Sequence, residues 1–250
     1  MDRPLSGSVA LVTGASRGLG AATAVALARL GAHVVLTART QGGLEETDDA
    51  VAAAGGTASL LPLDLAEAES VDALGPSIFT RFGRLDILVH AAGTLGRLTP
   101  LPHILPREWD DAVTVNLAAV WRLARSCDRL LRAAPAGRAV FVTTARARVP
   151  KAYWGLYGAT KAGMEHLALT WADEATPSPL RINLFDPGPM ATRLRHDAFP
   201  GETQDHLPKP EAVAPLLAAL CLPSEIRSGE RISAPVPAAR GTGQPLHRAR

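Results

Sequence analysis

Short apolar runs alternate with longer amphipathic stretches along most of the chain. Val9–Thr13, His33–Thr37, Ala58–Leu61, Leu85–His90, Ala139–Thr143 and Arg181–Phe185 are each four to six residues long and most are rich in Val, Ile or Leu, which predicts buried strands. Between them, Leu19–Leu30, Gly43–Ala54, Ala66–Phe82, Pro106–Ala134 and Tyr157–Ala175 carry helical character. Strands that are apolar on both faces and alternate with helices predict a parallel sheet covered on both sides. Right-handed crossovers leave the doubly wound arrangement as the leading topology.

The pattern changes near the end. Pro187–Pro210 is rich in Pro, Gly, His and charged residues without clear periodicity, so a loop or short lid helices over a binding site are expected at about 189–210. Glu211–Leu222 returns to helix, Arg231–Ala234 reads as one last strand, and Pro235–Arg250 as an irregular tail. No composition shift or fixed-period repeat divides the chain. The expectation is an α/β single domain over residues 1–250, a Rossmann-type doubly wound sheet of about seven strands.

Composition narrows the class. With 26 Lys+Arg against 24 Asp+Glu the formal charge is +2, too small to argue for nucleic acid. The arginines at 122, 125, 129 and 132 recur at helical spacing around Asp128 and read as a solvated helix face. At 47% apolar residues the chain can bury a core without disulfides, and its two cysteines, Cys127 and Cys221, make no framework. The seven histidines show no metal-ligand spacing, so no metal site is expected. The absence of a membrane-spanning run and of a signal-peptide pattern leads us to expect a soluble, cytoplasmic protein without membrane or nucleic-acid partners.

The first strand-to-helix junction carries Thr13-Gly14-Ala15-Ser16-Arg17-Gly18-Leu19-Gly20. Glycines there permit a tight turn and close approach of a ligand, and the following helix aims its free N–H groups at the same spot. A strand before and a helix after are the context that makes this a pyrophosphate-binding turn, with Gly14, Ser16, Arg17, Gly18, Leu19 and Gly20 as cofactor contacts. An acid closing the second strand would bind ribose hydroxyls and repel a 2′-phosphate. Leu36-Thr37-Ala38-Arg39-Thr40 has no acid but offers Arg39, and Arg17 adds a second cation. This predicts NADP(H) over NAD(H), since a guanidinium suits a phosphate; the competing reading makes both surface arginines.

Tyr157 and Lys161 open a predicted helix and stand one turn apart on one face. A phenol normally titrates near 10; a neighbouring ammonium and a cationic nicotinamide are expected to bring it down. Thr144 ends the fifth predicted strand, at the rim where open parallel sheets bind ligands, and its hydroxyl can bond a substrate carbonyl. Asn116 falls inside the long fourth helix, where a buried amide must find partners.

Taken together, these pieces resemble the short-chain dehydrogenase/reductase family. The resemblance rests on Thr13-Gly14-x-x-x-Gly18-x-Gly20, Asp64 after the third strand, Ala92-Gly93 after the fourth, Asn116, Thr144, Tyr157-x-x-x-Lys161 and Pro187-Gly188. Within it, Leu88–Gly93 and Arg193–Pro200 look most like the bacterial YciK-type oxidoreductases. The resemblance implies that Tyr157 is the general acid in reduction and base in oxidation. It further implies that Lys161 binds the nicotinamide ribose and tunes Tyr157, and that Asn116 holds a water linking Lys161 to solvent. Asp64, with Leu65, would meet the adenine edge; Ala92 and Gly93 would flank the cofactor, and Pro187-Gly188 would line its nicotinamide end.

Three positions depart from the family: Thr144 replaces its usual Ser, Ala91 the Asn before Ala-Gly, and Asp186 the Asn before Pro-Gly. No proton-transfer group is lost. The expected function is NADP(H)-dependent hydride transfer between nicotinamide and a small carbonyl or alcohol substrate. The alternatives are a non-catalytic NADP(H)-binding regulator and a 3-oxoacyl-thioester reductase that uses basic residues such as Arg125 and Arg129 to recruit an acidic carrier. The resemblance also implies a homodimer or homotetramer built through Pro106–Ala134 and Tyr157–Ala175.

Overall fold

The computed structural model describes residues 3–235. Seven strands form one parallel sheet: β1 (Val9–Thr13), β2 (His33–Ala38), β3 (Thr57–Pro62), β4 (Ile87–His90), β5 (Arg138–Val142), β6 (Arg181–Asp186) and β7 (Arg231–Ser233). Their order is β3-β2-β1-β4-β5-β6-β7. The first six lie on the apolar runs identified above, and β7 falls within the last predicted strand, Arg231–Ala234. The irregular tail expected beyond Pro235 lies outside the described residues.

Side-chain alternation along the strands builds two cores, one on each face. Ala10 and Val12 of β1, Ile87 and Val89 of β4 and Val140 of β5 pack with Leu27 of α1 (Gly18–Arg29) and Val51 of α2 (Gln41–Ala53). Val9, Leu11, Leu88, Ala139 and Phe141 belong to the other core. That core takes in Val71 of α3 (Ala68–Asp72), Ile78 of α4 (Leu74–Phe82) and, further along, α6 (Ala119–Ala133) and α7 (Gly155–Glu174). Burying each such Leu or Ile contributes about 1.5–3 kcal/mol.

The predicted helix Ala66–Phe82 is two helices, α3 and α4. Pro76 has no N–H to continue α3, and the carbonyl of Asp72 accepts instead from Ser126 Oγ at 3.0 Å. Gly75 allows this contact, because a Cβ there would sit 1.9 Å from the Ser126 carbonyl oxygen. The predicted helix Pro106–Ala134 is also interrupted. It comprises α5 (Pro106–Val113), a π-helical turn at Thr114–Ala118, and α6. The arginine stripe on α6 is not simply solvated: Arg122 reaches Asp72 at 2.9 Å, and Arg132 reaches Asp128 at 2.7 Å. Asp128 also accepts from Trp171 Nε1.

The 189–210 segment contains the short α8 (Arg193–Ala198), and α9 (Pro210–Ala219) returns to pack against α1. Among the described residues no helix is long and apolar enough to cross a membrane, and no cluster of three potential metal ligands occurs. Cys127 and Cys221 are buried and unpaired, and burial pushes both thiols up to about 12. The chain runs outward from β1 to β3 on one side and resumes at β4 on the other. The carboxyl ends of β1 and β4 therefore flank the crevice in which such sheets bind ligands.

Candidate active site

At the end of β1 the chain turns sharply into α1. Gly14 and Gly18 hold φ of 69° and 59°, a region costly for other residues. A Cβ on Gly14 would lie 2.8 Å from the Ala92 backbone, and one on Gly20 2.2 Å from the Gly14 carbonyl oxygen. The turn is thus pressed against both β4's exit and its own helix. Arg17 caps α1 without a side-chain bond and the first turn holds no acid, so its leading N–H groups face the cleft unneutralised.

This turn is one end of a cleft of about 1490 Å³, larger than the usual ~300–1,000 Å³ of small-molecule pockets. The cleft brings together every site residue read from the sequence except Asn116. Arg39, Asp64 and Leu65 lie along it with Ser16, Arg17 and Leu19 of the turn; Ala92 and Gly93 follow, then Thr144, Tyr157 and Lys161, with Pro187 and Gly188 completing the wall. Arg39 is mostly exposed and approaches Asp64 at 3.9 Å, a loose pair that leaves its guanidinium accessible. Arg125 and Arg129 do not line the cleft; Arg125 instead pairs with Asp72 and lies over the Trp121 ring.

Tyr157 and Lys161 come from the first turns of α7 and are both buried. Burial, aided by the Asp186 carboxylate, pushes the Tyr157 phenol up to about 12. The expected lowering counted a cationic nicotinamide as well as Lys161; the protein's own groups act in the opposite direction. Burial also lowers Lys161 to about 8, against an opposing pull from Glu165. Its ammonium donates to the Val142 carbonyl oxygen at 2.9 Å. A Cβ on Gly93 would lie 3.3 Å from Asn116 Oδ1 and 3.5 Å from Lys161 Nζ, so these two side chains converge beside it.

Thr144 lies two residues beyond β5 rather than ending it, and caps a short 3-10 turn at Ala145–Ala147 by accepting from Arg146 N. Asn116 sits in the π-helical turn, fully buried. Its Oδ1 accepts from Thr94 N at 2.8 Å, while Nδ2 donates to Thr94 O at 2.8 Å and Thr160 Oγ1 at 3.0 Å. The amide braces Thr94 and Thr160, and its Oδ1 keeps one lone pair beyond the bond from Thr94 N. His90 is fully buried, shares a 2.9 Å hydrogen bond with Thr13 Oγ1, and lines no part of the cleft.

Two features escaped sequence reading. Asp186 lines the cleft and is held by Arg231 Nη2 at 2.6 Å. Arg231 Nη1 also reaches Glu165 Oε1 at 3.0 Å. The only prior signal was the acid standing in place of the family's Asn. Second, Phe199 after α8 packs on Trp154 at 5.7 Å between ring centroids, with Arg195 over its face at 3.9 Å. Trp154 in turn meets Tyr157 edge-on at 6.0 Å, so the 189–210 segment touches the wall beside the phenol. Tyr153, by contrast, is exposed and does not line the cleft.

A dinucleotide fits these residues: a glycine cradle without room for a Cβ, a helix terminus for a pyrophosphate, and a long cleft ending at buried Tyr157 and Lys161. The model of the family described as short chain dehydrogenase matches residues 8–203. The oxidoreductase YciK of Escherichia coli (strain K12) is 34% identical over 215 residues, 85% of each chain. The 3-oxoacyl-[acyl-carrier-protein] reductase FabG of the same strain is 32% identical over 188 residues, 75% of each chain. A solved short chain dehydrogenase from Shigella flexneri, complexed with NADP, superposes with a TM-score of 0.88 at 32% identity, covering 93% of this chain and 99% of the other. The chain belongs to the short chain dehydrogenase family of oxidoreductases.

Proposed function

We propose that the protein is an NADP(H)-dependent carbonyl reductase or alcohol dehydrogenase. The observation that carries this reading is the buried Tyr157–Lys161 pair at the end of a glycine-cradled cleft. The nicotinamide ring, when bound, supplies or accepts the hydride. Arg17 and Arg39 present guanidinium groups where a 2′-phosphate would lie, and no acid in that stretch repels it. The NADP in the Shigella flexneri structure supports this choice of cofactor.

In the reductive direction Thr144 Oγ1 donates to the substrate carbonyl oxygen and orients it. Tyr157 donates its proton to the same oxygen as negative charge builds there. The phenol is protonated at neutral pH and so can donate in a reduction, but raised to about 12 it is a weak acid on its own, and the neighbouring Lys161 ammonium is what would ease the transfer. Lys161, lowered to about 8 yet still mainly cationic at neutral pH, would bind the nicotinamide ribose and stabilise the phenolate left behind. Asn116 acts indirectly by holding Thr94 and Thr160, the residue before Lys161. We read the chain as one dinucleotide-binding domain whose 189–210 segment excludes water when substrate is seated.

The thioester-reductase alternative draws on FabG alone, because Arg125 and Arg129 stand away from the cleft. The deciding experiment follows NADPH oxidation with a panel of aldehydes, ketones and quinones, then repeats it with Tyr157→Phe. Turnover should fall at least about 100-fold with nucleotide affinity retained. Full turnover by the variant would overturn the assignment, and NADPH binding without turnover on any carbonyl would favour the regulatory reading.

A further inference from the structure

At the back of the cleft three largely buried charged side chains meet, with the more exposed Arg148 at their edge. Glu165, one helical turn after Lys161, is 8% exposed; Arg231 on β7 is 11% and Asp186 at the end of β6 is 13%. Arg231 spans the two carboxylates with separate nitrogens, Nη1 to Glu165 Oε1 at 3.0 Å and Nη2 to Asp186 Oδ2 at 2.6 Å. Glu165 Oε1 also accepts from Thr143 Oγ1 at 2.6 Å, and its Oε2 takes Arg148 Nε at 3.1 Å. Asp186 Oδ1 accepts from Gly188 N at 3.1 Å.

Each contact ends beside a residue of the proposed chemistry. Thr143 precedes Thr144, Glu165 follows Lys161 by one turn, and Gly188 lies in the Pro187-Gly188 wall of the cleft. The backbone ladder already holds β5 to β6, with Thr143 N donating to Phe185 O at 2.8 Å, but among the described residues no backbone hydrogen bond ties α7 to the turn after β6. The fork of one guanidinium does so through two directional bonds, a geometry an ammonium cannot reproduce. Asp186, which departs from the family's Asn, is thereby explained: it is the acid that completes the fork.

We propose that Arg231, on the last strand, is a positioning residue for hydride transfer. By clamping Asp186 and Glu165 it holds the Pro187-Gly188 turn and the Thr143-Thr144 strand end at fixed places relative to Tyr157 and Lys161. This inference rests on the hydride-transfer reading. Arg231 touches neither the glycine turn nor Arg39, and the groups it clamps lie at the Tyr157 end of the cleft, so its loss is expected to weigh more on the chemical step than on nucleotide affinity. Small displacements of reacting groups are costly: about 1 Å can lose ~100-fold in rate.

The test uses the full-length protein and a carbonyl substrate found in the panel screen. Arg231→Gln should lower kcat about 10- to 100-fold, with KM for NADPH changed less than about threefold. The isotope effect with nicotinamide deuterated at the transferred position should grow, because hydride transfer becomes more rate-limiting; a loosened fold alone would not produce that change. Arg231→Lys keeps the charge but not the fork, so it should fold where the Gln variant fails and still show lowered kcat with the larger isotope effect. A wild-type kcat and isotope effect in either folded variant would overturn the proposal, as would a loss confined to NADPH binding. Tyr157→Phe separates the two levels: if that variant retains turnover the hydride-transfer reading fails, whereas if it is inactive and Arg231→Lys is unchanged only the positioning role fails.

Discussion

Asn116 Nδ2 donates to Thr160 Oγ1 over 3.0 Å, tying the π-helical turn between α5 and α6 to the residue immediately before Lys161. The same amide closes two further bonds with the backbone of Thr94. A π-helical turn adds one residue to the helical repeat, and here it carries Asn116 into the gap between β4's exit and α7.

Removing that brace should cost both stability and rate. Asn116→Ala removes the partner of the half-buried Thr94 N–H and C=O and one of the two bonds of Thr160 Oγ1, which still donates to Tyr157 O, a loss of about 1–3 kcal/mol. Urea denaturation should register a fall in unfolding free energy, and kcat should fall with little change in NADPH affinity. A variant as stable and as active as the parent would show that the π-helical turn is not braced through this side chain.

His90 sets an acid limit on the fold. Burial, with Lys161 adding repulsion, lowers it to about 3 from an unfolded value of 6.5, and its Nε2 has no partner. The folded state therefore resists a proton that the unfolded chain accepts. Stability is fully present above pH 6.5 and is lost as pH falls towards 3, by on the order of 4 kcal/mol across the window. In His90→Asn this component should vanish, so unfolding free energy measured between pH 7 and 4 should fall less steeply than in the parent.

The cofactor preference should reside in Arg39 and Arg17. A charged hydrogen bond to phosphate is worth about 1.5–3 kcal/mol, so Arg39→Ser should raise KM for NADPH roughly 10- to 100-fold. KM for NADH should change less than about twofold, because the lost partner is the 2′-phosphate. Parallel steady-state titrations with both nucleotides decide this; equal losses for the two would place Arg39 elsewhere in the complex.

Phe199 links the 189–210 segment to Trp154 and is itself covered by Arg195. Phe199→Ala removes the ring that seats this segment beside Tyr157. KM for the carbonyl substrate should rise about threefold or more, while NADPH binding, measured by fluorescence titration, stays within about twofold. An unchanged KM would mean that the segment does not close over substrate.

How far the sequence could be read depended on how local each signal was. The turn Thr13–Gly20 was legible because the glycines sit beside the strand and helix they join, and the positive φ at Gly14 and Gly18 bears out the reason for them. Tyr157 and Lys161 were legible because four residues make one helical turn. The break between α3 and α4 carried a local mark in Pro76 that the periodicity overrode, while the bond from Ser126, more than fifty residues away, to the carbonyl Pro76 cannot use left no local trace. Nor was the commitment of Asn116's amide, whose partners Thr94 and Thr160 lie on other segments.

By itself the sequence determined the alternating architecture, the strand identities and the positions of the glycine turn and the Tyr157–Lys161 pair. Periodicity and turn chemistry are properties of neighbours along the chain, so they need no folded context. Only the tertiary structure decided the direction in which Tyr157 is shifted and the clamp of Arg231 on Asp186 and Glu165. Desolvation depends on what encloses a group, and ion pairs depend on which strands come to lie side by side. The chain reaches that juxtaposition at Arg231, some 45 residues after Asp186, only once the last strand has joined the sheet.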